Sequence, residues 1–398
     1  MKIHLCIVTG QPLANLIPIL QERPDVIALA VTAPMAASCA TFIATLKHCG
    51  WEATKIARFN DVPDHNYETI LERALEIGES LDEAYPQGQI TLNVTGGNKL
   101  MTLAFTNAFN DSSRYRVLYT DTTHNTLEIL QPRLPFVPIR RVLDMETYLK
   151  AEGKTLRDSA DTNIDWCQRA EARKPATKYL GNNCQELIGL IGQFNGKWGG
   201  DKHRNAALPL TLRSNPQGPW RKALVALADA AVIDWMDSTP TVTPMNVEAI
   251  TYLTGGWLEE FVWWTAKDAG AEEVRCSVKF TDDFDGKADL RNEIDVAVLH
   301  NNRLLLIECK TGNMAQDGKD TEIVFKLDSL LDQAAGSLGA GLLVSAQPLV
   351  HKNSKGRVVN TRSRARSVNI KTAEFQELKS LRVMIASWLE GGRWHGDS

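Results

Sequence analysis

The cysteines of this sequence lack the spacing of metal ligands. The 398-residue chain has seven cysteines, and no two of them are separated by the two residues of a C-x-x-C pair. Their odd number and wide scatter also argue against a disulfide framework. We therefore expect reduced thiols, no zinc ribbon and a cytoplasmic location.

Long apolar runs and the common nucleotide-binding motifs are missing as well. No segment approaches the roughly 18 apolar residues of a membrane helix, and the apolar run over residues 3–8 is too short for a signal peptide. Neither G-x-x-x-x-G-K-[ST] nor G-x-G-x-x-G occurs, which disfavours an oxidoreductase that uses a dinucleotide. With 43% hydrophobic and 23% charged residues, the chain is typical of globular proteins of two or three domains, with no membrane association.

Charge is unevenly distributed along the chain. The formal net charge is −4, yet residues 351–371 contain lysines and arginines and no acidic residue. Such a run either follows a nucleic-acid backbone or forms a solvated loop, and the sequence leaves both open.

The most informative segment lies near residue 300. Apolar and polar residues alternate over 293–299, an apolar run over 304–310 ends in polar residues, and Asn301 and Asn302 stand between them. Asparagine tolerates the left-handed backbone of a two-residue hairpin turn. With that turn, Asp295 lies opposite Glu308, and the alternation of side chains places Lys310 on the same face.

Two opposed carboxylates and a lysine are suited to phosphodiester chemistry. The carboxylates repel each other, and a hard dication with oxygen ligands would offset that repulsion. Such an ion polarises phosphoryl oxygens and lowers the pKa of bound water, while Lys310 can stabilise developing charge. The pattern predicts a metal-dependent nuclease; an ordinary hairpin with a Glu293–Lys310 ion pair is the alternative.

Strand and helix patterns alternate along the first 130 residues, which predicts a Rossmann-like, doubly wound and mostly parallel α/β sheet. Two glycine-containing turns, over residues 9–11 and 95–99, follow predicted strands at the edge where such sheets bind ligands. Glycines allow close approach, helix amides favour phosphate, and Lys99 adds a charge. Simple turn formation is the alternative.

Three domains are expected: residues 1–140 as a ligand-sensing domain, 141–245 as a mainly helical connecting domain of possible winged-helix type, and 246–398 as an α/β nuclease domain of restriction-endonuclease-like fold.

The two ends of the chain resemble the two parts of a known family. Residues 7–18 and the element Thr95-Gly96-Gly97-Asn98-Lys99-Leu100-Met101 resemble a CARF domain, the CRISPR-associated Rossmann-like sensor. Residues 255–262, followed by Glu293-Ile294-Asp295 and Glu308-Cys309-Lys310, are similar to the PD-(D/E)xK nuclease fold. Together they resemble the CARF–nuclease effectors of type III CRISPR systems, although Ile294 stands where the PD motif has proline.

The resemblance implies a function in antiviral defence. A cyclic oligoadenylate, commonly cyclic tetra-adenylate, would bind across a homodimer of CARF domains and activate cleavage of DNA, RNA or both with Mn²⁺ or Mg²⁺. The alternative is a sensor of the same ligand that regulates through nucleic-acid binding without nuclease activity.

The resemblance also assigns residues. The ligand site would include Thr9, Gly10, Gln11, Asn15, Thr95, Gly96, Gly97, Asn98, Lys99 and Met101. The catalytic residues would be Asp295, Glu308, Lys310 and Glu259, of which Asp295, Glu308 and Glu259 would bind the metal. Glu260 is nearly as suitable as Glu259, because a helix can present either.

Overall fold

The computed structural model describes residues 1–110, 113–200, 208–283, 291–312, 319–352, 356 and 358–394. The chain forms two compact units. The first contains Met1–Thr155 and Gly336–Leu338, and the second contains Leu156–Ala335 and Gly339–Ser398.

The first unit contains a seven-stranded sheet in the order β3-β2-β1-β4-β5-β6-β7. The pairs among the first five strands are parallel, and β6 and β7 join antiparallel at one edge, which confirms the predicted doubly wound fold. In chain order its elements are β1 (Lys2–Ile7), α1 (Leu13–Glu22), β2 (Val26–Ala30), α2 (Ala36–His48), β3 (Ile56–Phe59), α3 (Tyr67–Ala84), β4 (Gln89–Asn93), α4 (Lys99–Ala108), β5 (Tyr115–Asp121), β6 (Thr126–Gln131), β7 (Val137–Pro138) and α5 (Met145–Ala151).

Strands β1 and β4 mark the point where the strand order reverses. From β1 the chain continues to β2 on one side, and from β4 it continues to β5 on the other. Every residue of β2 is buried, as expected for a central strand that is covered on both faces. The loops that follow β1 and β4 therefore lie side by side at the position where open α/β sheets bind ligands.

A charged cluster joins α1 to this sheet. The Glu22 carboxylate lies 2.8 Å from His4 Nε2 and accepts two hydrogen bonds, of 2.7 and 2.8 Å, from the Arg116 guanidinium. Burial alone would raise the pKa of Glu22, but the hydrogen bonds with His4 and Arg116 outweigh it and lower that pKa to about 2. The ionised carboxylate thus stabilises the folded unit.

The second unit contains a mixed six-stranded sheet in the order β18-β15-β14-β13-β12-β8, a three-stranded sheet of β10, β11 and β9, and the pair β16–β17. Its elements are β8 (Lys154–Asp158), α6 (Ile164–Asn182), α7 (Cys184–Trp198), β9 (Leu210–Thr211), α8 (Gly218–Asp229), β10 (Ile233–Asp234), β11 (Thr241–Pro244), α9 (Val247–Thr251), α10 (Trp257–Asp268), β12 (Glu273–Asp282), β13 (Arg291–His300), β14 (Arg303–Lys310), α11 (Lys319–Leu330), β15 (Gly339–Ser345), β16 (Val350–Lys352), β17 (Val358–Asn360), α12 (Thr361–Ser367), β18 (Ile370–Glu374) and α13 (Leu381–Gly391).

Helices of the middle segment and strands of the mixed sheet share one hydrophobic core. Leu187 on α7 and Leu224 on α8 belong to the same buried cluster as Val296 on β13 and Leu305 on β14. The helical segment is therefore packed within the second compact unit.

The described part of the basic run 351–371 forms secondary structure. It contributes to β16, β17, α12 and the start of β18. Some of its charges are paired; Arg362, for example, donates a 2.7 Å hydrogen bond to Glu377. Lys355 and Arg357 lie outside the described residues.

Within the part of the chain that the structure describes, no helix is both long and apolar enough to cross a membrane. All seven cysteines carry free thiols.

The charged cluster of α1 predicts a pH-dependent loss of stability. Glu22→Gln should lower the free energy of unfolding at neutral pH by about 1–2 kcal/mol, because charge-assisted hydrogen bonds are lost and water screens part of the effect. The pKa of Glu22 is lowered from 4.5 to about 2, so its contribution is present above pH 4.5 and disappears as the pH falls towards 2.

Urea unfolding of wild type and variant over this pH range measures the difference. Glu76→Gln, which removes the exposed partner of Arg73, is the control and should have little effect. A Glu22→Gln effect of constant size from neutral pH down to pH 2 would contradict the assignment.

Candidate active site

Strands β13 and β14 form the hairpin that the sequence predicts. Asn301 and Asn302 both have left-handed φ angles, 48° and 60°, as a two-residue type I′ turn requires. The register pairs His300 with Arg303 and continues to Val296 opposite Ile307. This confirms the predicted alignment up to the position next to Asp295.

The three predicted head groups meet on one face of this hairpin. The Lys310 ammonium lies 2.6 Å from Glu308 Oε1 and 3.8 Å from Asp295 Oδ2. The backbone amide of Cys309 donates a 2.6 Å hydrogen bond to Asp295 Oδ2, which holds this carboxylate against β14. Glu308 is only 1% exposed, so its charge depends on neighbouring cations.

Helix α10 brings a further carboxylate to the site. Helices α9 and α10 are joined by a π-helical turn over Tyr252–Gly256, a feature that is frequent at functional sites. Glu259 accepts a 3.2 Å hydrogen bond from the Ser277 hydroxyl and is close enough to Asp295 to respond to its charge. Glu259 is therefore the glutamate of this helix that faces the hairpin.

The neighbouring Glu260 has a different environment. It is 3% exposed, and its Oε1 accepts a 2.5 Å hydrogen bond from Arg173 on α6. Its Oε2 lies 3.4 Å from the Thr177 hydroxyl. Glu260 thus belongs to a buried ion pair between α6 and α10 and not to the cluster around Lys310.

Ser277 is a residue of this site that the sequence reasoning missed. The β12–β13 register pairs Cys276 with Val296 and Val278 with Ile294, which puts Ser277 across from Asp295. Its φ is 49°, a left-handed value that costs free energy in a residue with a side chain. No pattern in the sequence marks a serine for this conformation.

The electrostatics of the site follow from burial and crowding of like charges. Burial, and then repulsion from Glu308, raise the pKa of Asp295 to about 6. Burial, and then repulsion from Asp295, raise the pKa of Glu259 to about 8, so this carboxyl is mostly protonated at neutral pH. Burial alone would lower the pKa of Lys310, but the charges of Asp295 and Glu308 outweigh it and raise that pKa.

The Asp295 and Glu308 carboxylates, which both lie near Lys310, fit a divalent metal ion that needs few protein ligands. Among the described residues, no group of three or more His, Cys, Asp or Glu side chains is arranged to hold a metal. Asp295 and Glu308 nevertheless both reach one cationic head group. Mg²⁺ is often held by one or two carboxylates, with water and substrate phosphate as the other ligands. The pair fits such an ion, and metal binding by Glu259 stays a prediction.

The two predicted ligand loops meet at the switch point of the first unit. The Asn15 side-chain amide donates a 2.8 Å hydrogen bond to the Ile7 carbonyl, and the Asn15 side-chain oxygen accepts a 3.0 Å hydrogen bond from the Asn93 side chain. A Cβ built on Gly96 would lie 2.0 Å from the Ile7 carbonyl oxygen. Glycine is therefore required at this position for the two loops to touch.

Burial separates the predicted ligand residues into two groups. Asn15 is 1% exposed and Met101 is 2% exposed. The Thr95 hydroxyl donates to Asn93 Oδ1 at 2.6 Å and accepts from the Thr120 amide at 2.7 Å. These three residues hold the loops in place.

The other group reaches solvent. The exposed residues of the two loops are Gly10, Gln11, Gly97, Asn98 and Lys99, beside the half-buried Thr9. Asn98 also caps α4, since its side chain accepts a 3.0 Å hydrogen bond from the Met101 amide. The exposed loop residues and the start of α4 thus form a surface that suits an anion.

Comparison with protein families matches both ends of the chain. Residues 3–148 match the family model of the Card1 CARF domain, and residues 246–391 match that of the Card1-like endonuclease domain. The chain thus combines a CARF domain with a Card1-like endonuclease domain. Its first unit carries the CARF domain, and its second unit carries the endonuclease domain.

Solved structures extend the similarity to the middle of the chain. Protein VC1899 from Vibrio cholerae is 21% identical, covers 99% of both chains and has a TM-score of 0.80. Can2 from Sulfobacillus thermosulfidooxidans, solved in complex with cyclic tetra-adenylate, is 19% identical over 97% of this chain and 99% of its own, with a TM-score of 0.72.

A more distant neighbour is a type III CRISPR defence DNA nuclease that is activated by cyclic oligoadenylate. It is 16% identical over 86% of this chain and 45% of its own, with a TM-score of 0.51. No curated protein matches the chain. At these identities the structural neighbours establish the fold.

The two neighbouring glutamates of α10 should respond differently to neutralisation. Glu260→Gln removes the negative charge that pairs with the buried Arg173 and should lower the free energy of unfolding by about 2–3 kcal/mol. The loss is smaller than for a completely unpaired buried charge, because Glu248 also contacts Arg173. Glu259→Gln should raise stability or leave it unchanged, because the raised pKa of Glu259 means that its charge is unfavourable in the folded protein, whereas glutamine is neutral in both states. Urea unfolding of both variants checks this, and equal losses would contradict the assigned orientations.

Metal binding should depend on Asp295. In the absence of metal, Asp295→Asn should leave the protein as stable as wild type or more stable, because it relieves the repulsion from Glu308. Saturating Mn²⁺ should stabilise the wild type, by about 2.7 kcal/mol at a hundredfold excess over Kd, and should not stabilise the variant.

Thermal unfolding with and without Mn²⁺ measures this difference. Glu171→Gln is the control, because Glu171 is exposed on α6 and pairs with Lys174. Equal Mn²⁺ stabilisation of wild type and Asp295→Asn would exclude Asp295 as a ligand.

Proposed function

We propose that this protein is a nuclease of type III CRISPR antiviral defence that is activated by a cyclic oligoadenylate and depends on Mn²⁺ or Mg²⁺. It would cleave phosphodiester bonds of DNA, RNA or both in the cytoplasm. The observation that carries the proposal is the convergence of Asp295, Glu308 and Lys310 on one face of a hairpin, in a chain that also has a CARF domain.

The residues of the endonuclease domain have separable roles in this proposal. Asp295 and Glu308 would hold the dication, which when bound supplies charge neutralisation of the phosphate and a water of lowered pKa. The Lys310 ammonium stabilises the negative charge that develops on the phosphoryl oxygens. Ser277 orients Glu259 through its hydrogen bond, and the raised pKa of Glu259, about 8, suits proton exchange near neutral pH.

The CARF domain supplies the activator site. Gln11, Asn98 and Lys99 are exposed at the two loops, where the start of α4 favours phosphate groups. The cyclic tetra-adenylate bound to the related Can2 supports a ligand of this class. A cyclic tetranucleotide can have two-fold symmetry, which would suit the paired, identical half-sites of a homodimer.

Activation would be a difference in ligand affinity between two states of the protein. A cyclic oligoadenylate that binds the active state more tightly shifts the equilibrium towards it, and only by as much as its two affinities differ. The proposal therefore requires that the active state of the nuclease binds the activator more tightly than the inactive state does.

Two variants should separate sensing from cleavage. Lys310→Ala should reduce cleavage by about a hundredfold or more and leave activator binding unchanged. Lys99→Ala should weaken activator binding and leave cleavage intact when the activator is saturating. The assay incubates labelled RNA, single-stranded DNA and plasmid with Mn²⁺ and each cyclic oligoadenylate, and calorimetry measures activator binding. Lys379→Ala, at an exposed position of the endonuclease domain, is the control.

The outcomes also decide between this proposal and a sensor without nuclease activity. A wild-type protein that binds a cyclic oligoadenylate but cleaves none of the substrates with Mn²⁺ or Mg²⁺ would favour the sensor. Cleavage that Lys310→Ala leaves intact would refute the assigned site.

A further inference from the structure

Helix α11 presents two unlike faces. Its apolar residues Val324, Leu327 and Leu330 are 1%, 1% and 4% exposed, so the inward face of the helix is already filled. The Arg364 guanidinium on α12 donates a 2.5 Å hydrogen bond to the Thr321 hydroxyl near the start of α11. The helix is thus packed against the domain through its inner face and through Thr321.

Lys326 connects this outer face to the active site. Its ammonium lies 3.2 and 3.3 Å from the two Glu308 oxygens, while 49% of its side chain is exposed. Glu308 therefore contacts two lysines, of which Lys310 comes from its own strand. Lys326 extends the positive charge of the site outwards to solvent, where a phosphodiester strand would approach.

Phe325 directly precedes Lys326 on the same helix, and the two side chains project about 100° apart around the helix axis. It is 56% exposed, although three neighbouring apolar residues of α11 are buried. A single exposed apolar side chain is ordinary on a protein surface. An exposed aromatic ring next to a lysine that touches a buried acidic residue is more specific, because aromatic rings beside cations are the usual means of holding unpaired nucleotides.

We propose that Phe325 and Lys326 form a nucleotide-contacting edge of the active site. Lys326 binds a phosphate of the substrate strand, and Phe325 stacks on an unpaired base next to it. The inference rests on the proposed nuclease function and adds two substrate-contacting residues to it. It also implies that the strand is unpaired where it enters the site, since a base in a duplex has no free face to stack on Phe325.

Binding without turnover tests the edge directly. The probes are a fluorescein-labelled single-stranded oligonucleotide and a blunt duplex of the same sequence. Each is titrated with full-length protein in EDTA and saturating cyclic tetra-adenylate, and binding is followed by anisotropy. Phe325→Ala should weaken single-strand binding by about 5- to 150-fold, the range expected for loss of one stacked base. It should leave duplex binding unchanged, and Phe325→Tyr, which keeps the ring, should behave as wild type.

Lys326 should show the signature of a phosphate contact. Lys326→Ala should weaken binding of the single strand and reduce the slope of log K against log salt concentration by about 0.7, the change for one phosphate contact on a single strand. Lys326→Arg should restore both.

Two exposed positions away from α11 provide matched controls. Val383→Ala removes an apolar side chain that is 65% exposed on α13, and Lys379→Ala removes an exposed lysine. Neither should alter binding. Sedimentation of all variants reports whether Phe325 instead contacts a second copy of the chain.

The results distinguish failure of the inference from failure of the proposed function. If the wild type cleaves nucleic acid but Phe325→Ala and Lys326→Ala bind and cleave as the controls do, the edge is refuted and the nuclease stands. A change in oligomeric state with Phe325→Ala, without loss of single-strand binding, also refutes it. If the folded wild type neither binds nor cleaves any probe, the proposed function itself fails.

Discussion

The structure of the endonuclease domain depends on one buried anion. Glu308 is almost completely shielded from water, and a carboxylate in that position is tolerated only with cations against it. Lys310 and Lys326 supply them from β14 and α11, while Asp295 competes for Lys310 from β13. Three elements are thereby fixed around a single charge. The same arrangement brings two carboxylates together, and a bound dication could take the place of Lys310 beside them.

Both candidate sites lie at a change in the arrangement of the sheet. In the CARF domain the ligand loops follow β1 and β4, between which the strand order reverses. In the endonuclease domain β14 pairs antiparallel with β13 and parallel with β15, and Glu308 and Lys310 stand at its end. In the CARF domain the connections leave in opposite directions, which opens the crevice where ligands of such sheets bind.

The sequence predicts the parts of these sites that depend on local rules. The hairpin register follows from turn chemistry at Asn301 and Asn302 and from alternation, and both act over short distances. The choice between Glu259 and Glu260 depends on the orientation of α10, which the π-helical turn before it sets. The left-handed Ser277 and the burial of Asn15 arise from packing of segments distant in sequence. The division into three domains, with residues 141–245 as a connecting domain, stays a prediction, although helices of this segment share a core with the mixed sheet.

The close approach of Gly96 to Ile7 has a mechanical consequence for the CARF domain. Only a hydrogen atom separates the two backbones there, so no flexible side chain cushions one loop against the other. A displacement of the loop after β4 must push on the end of β1, and the hydrogen bonds of Asn15 pass the same displacement to α1. We therefore expect the two loops to move together, so that a displacement of either one is passed to the other.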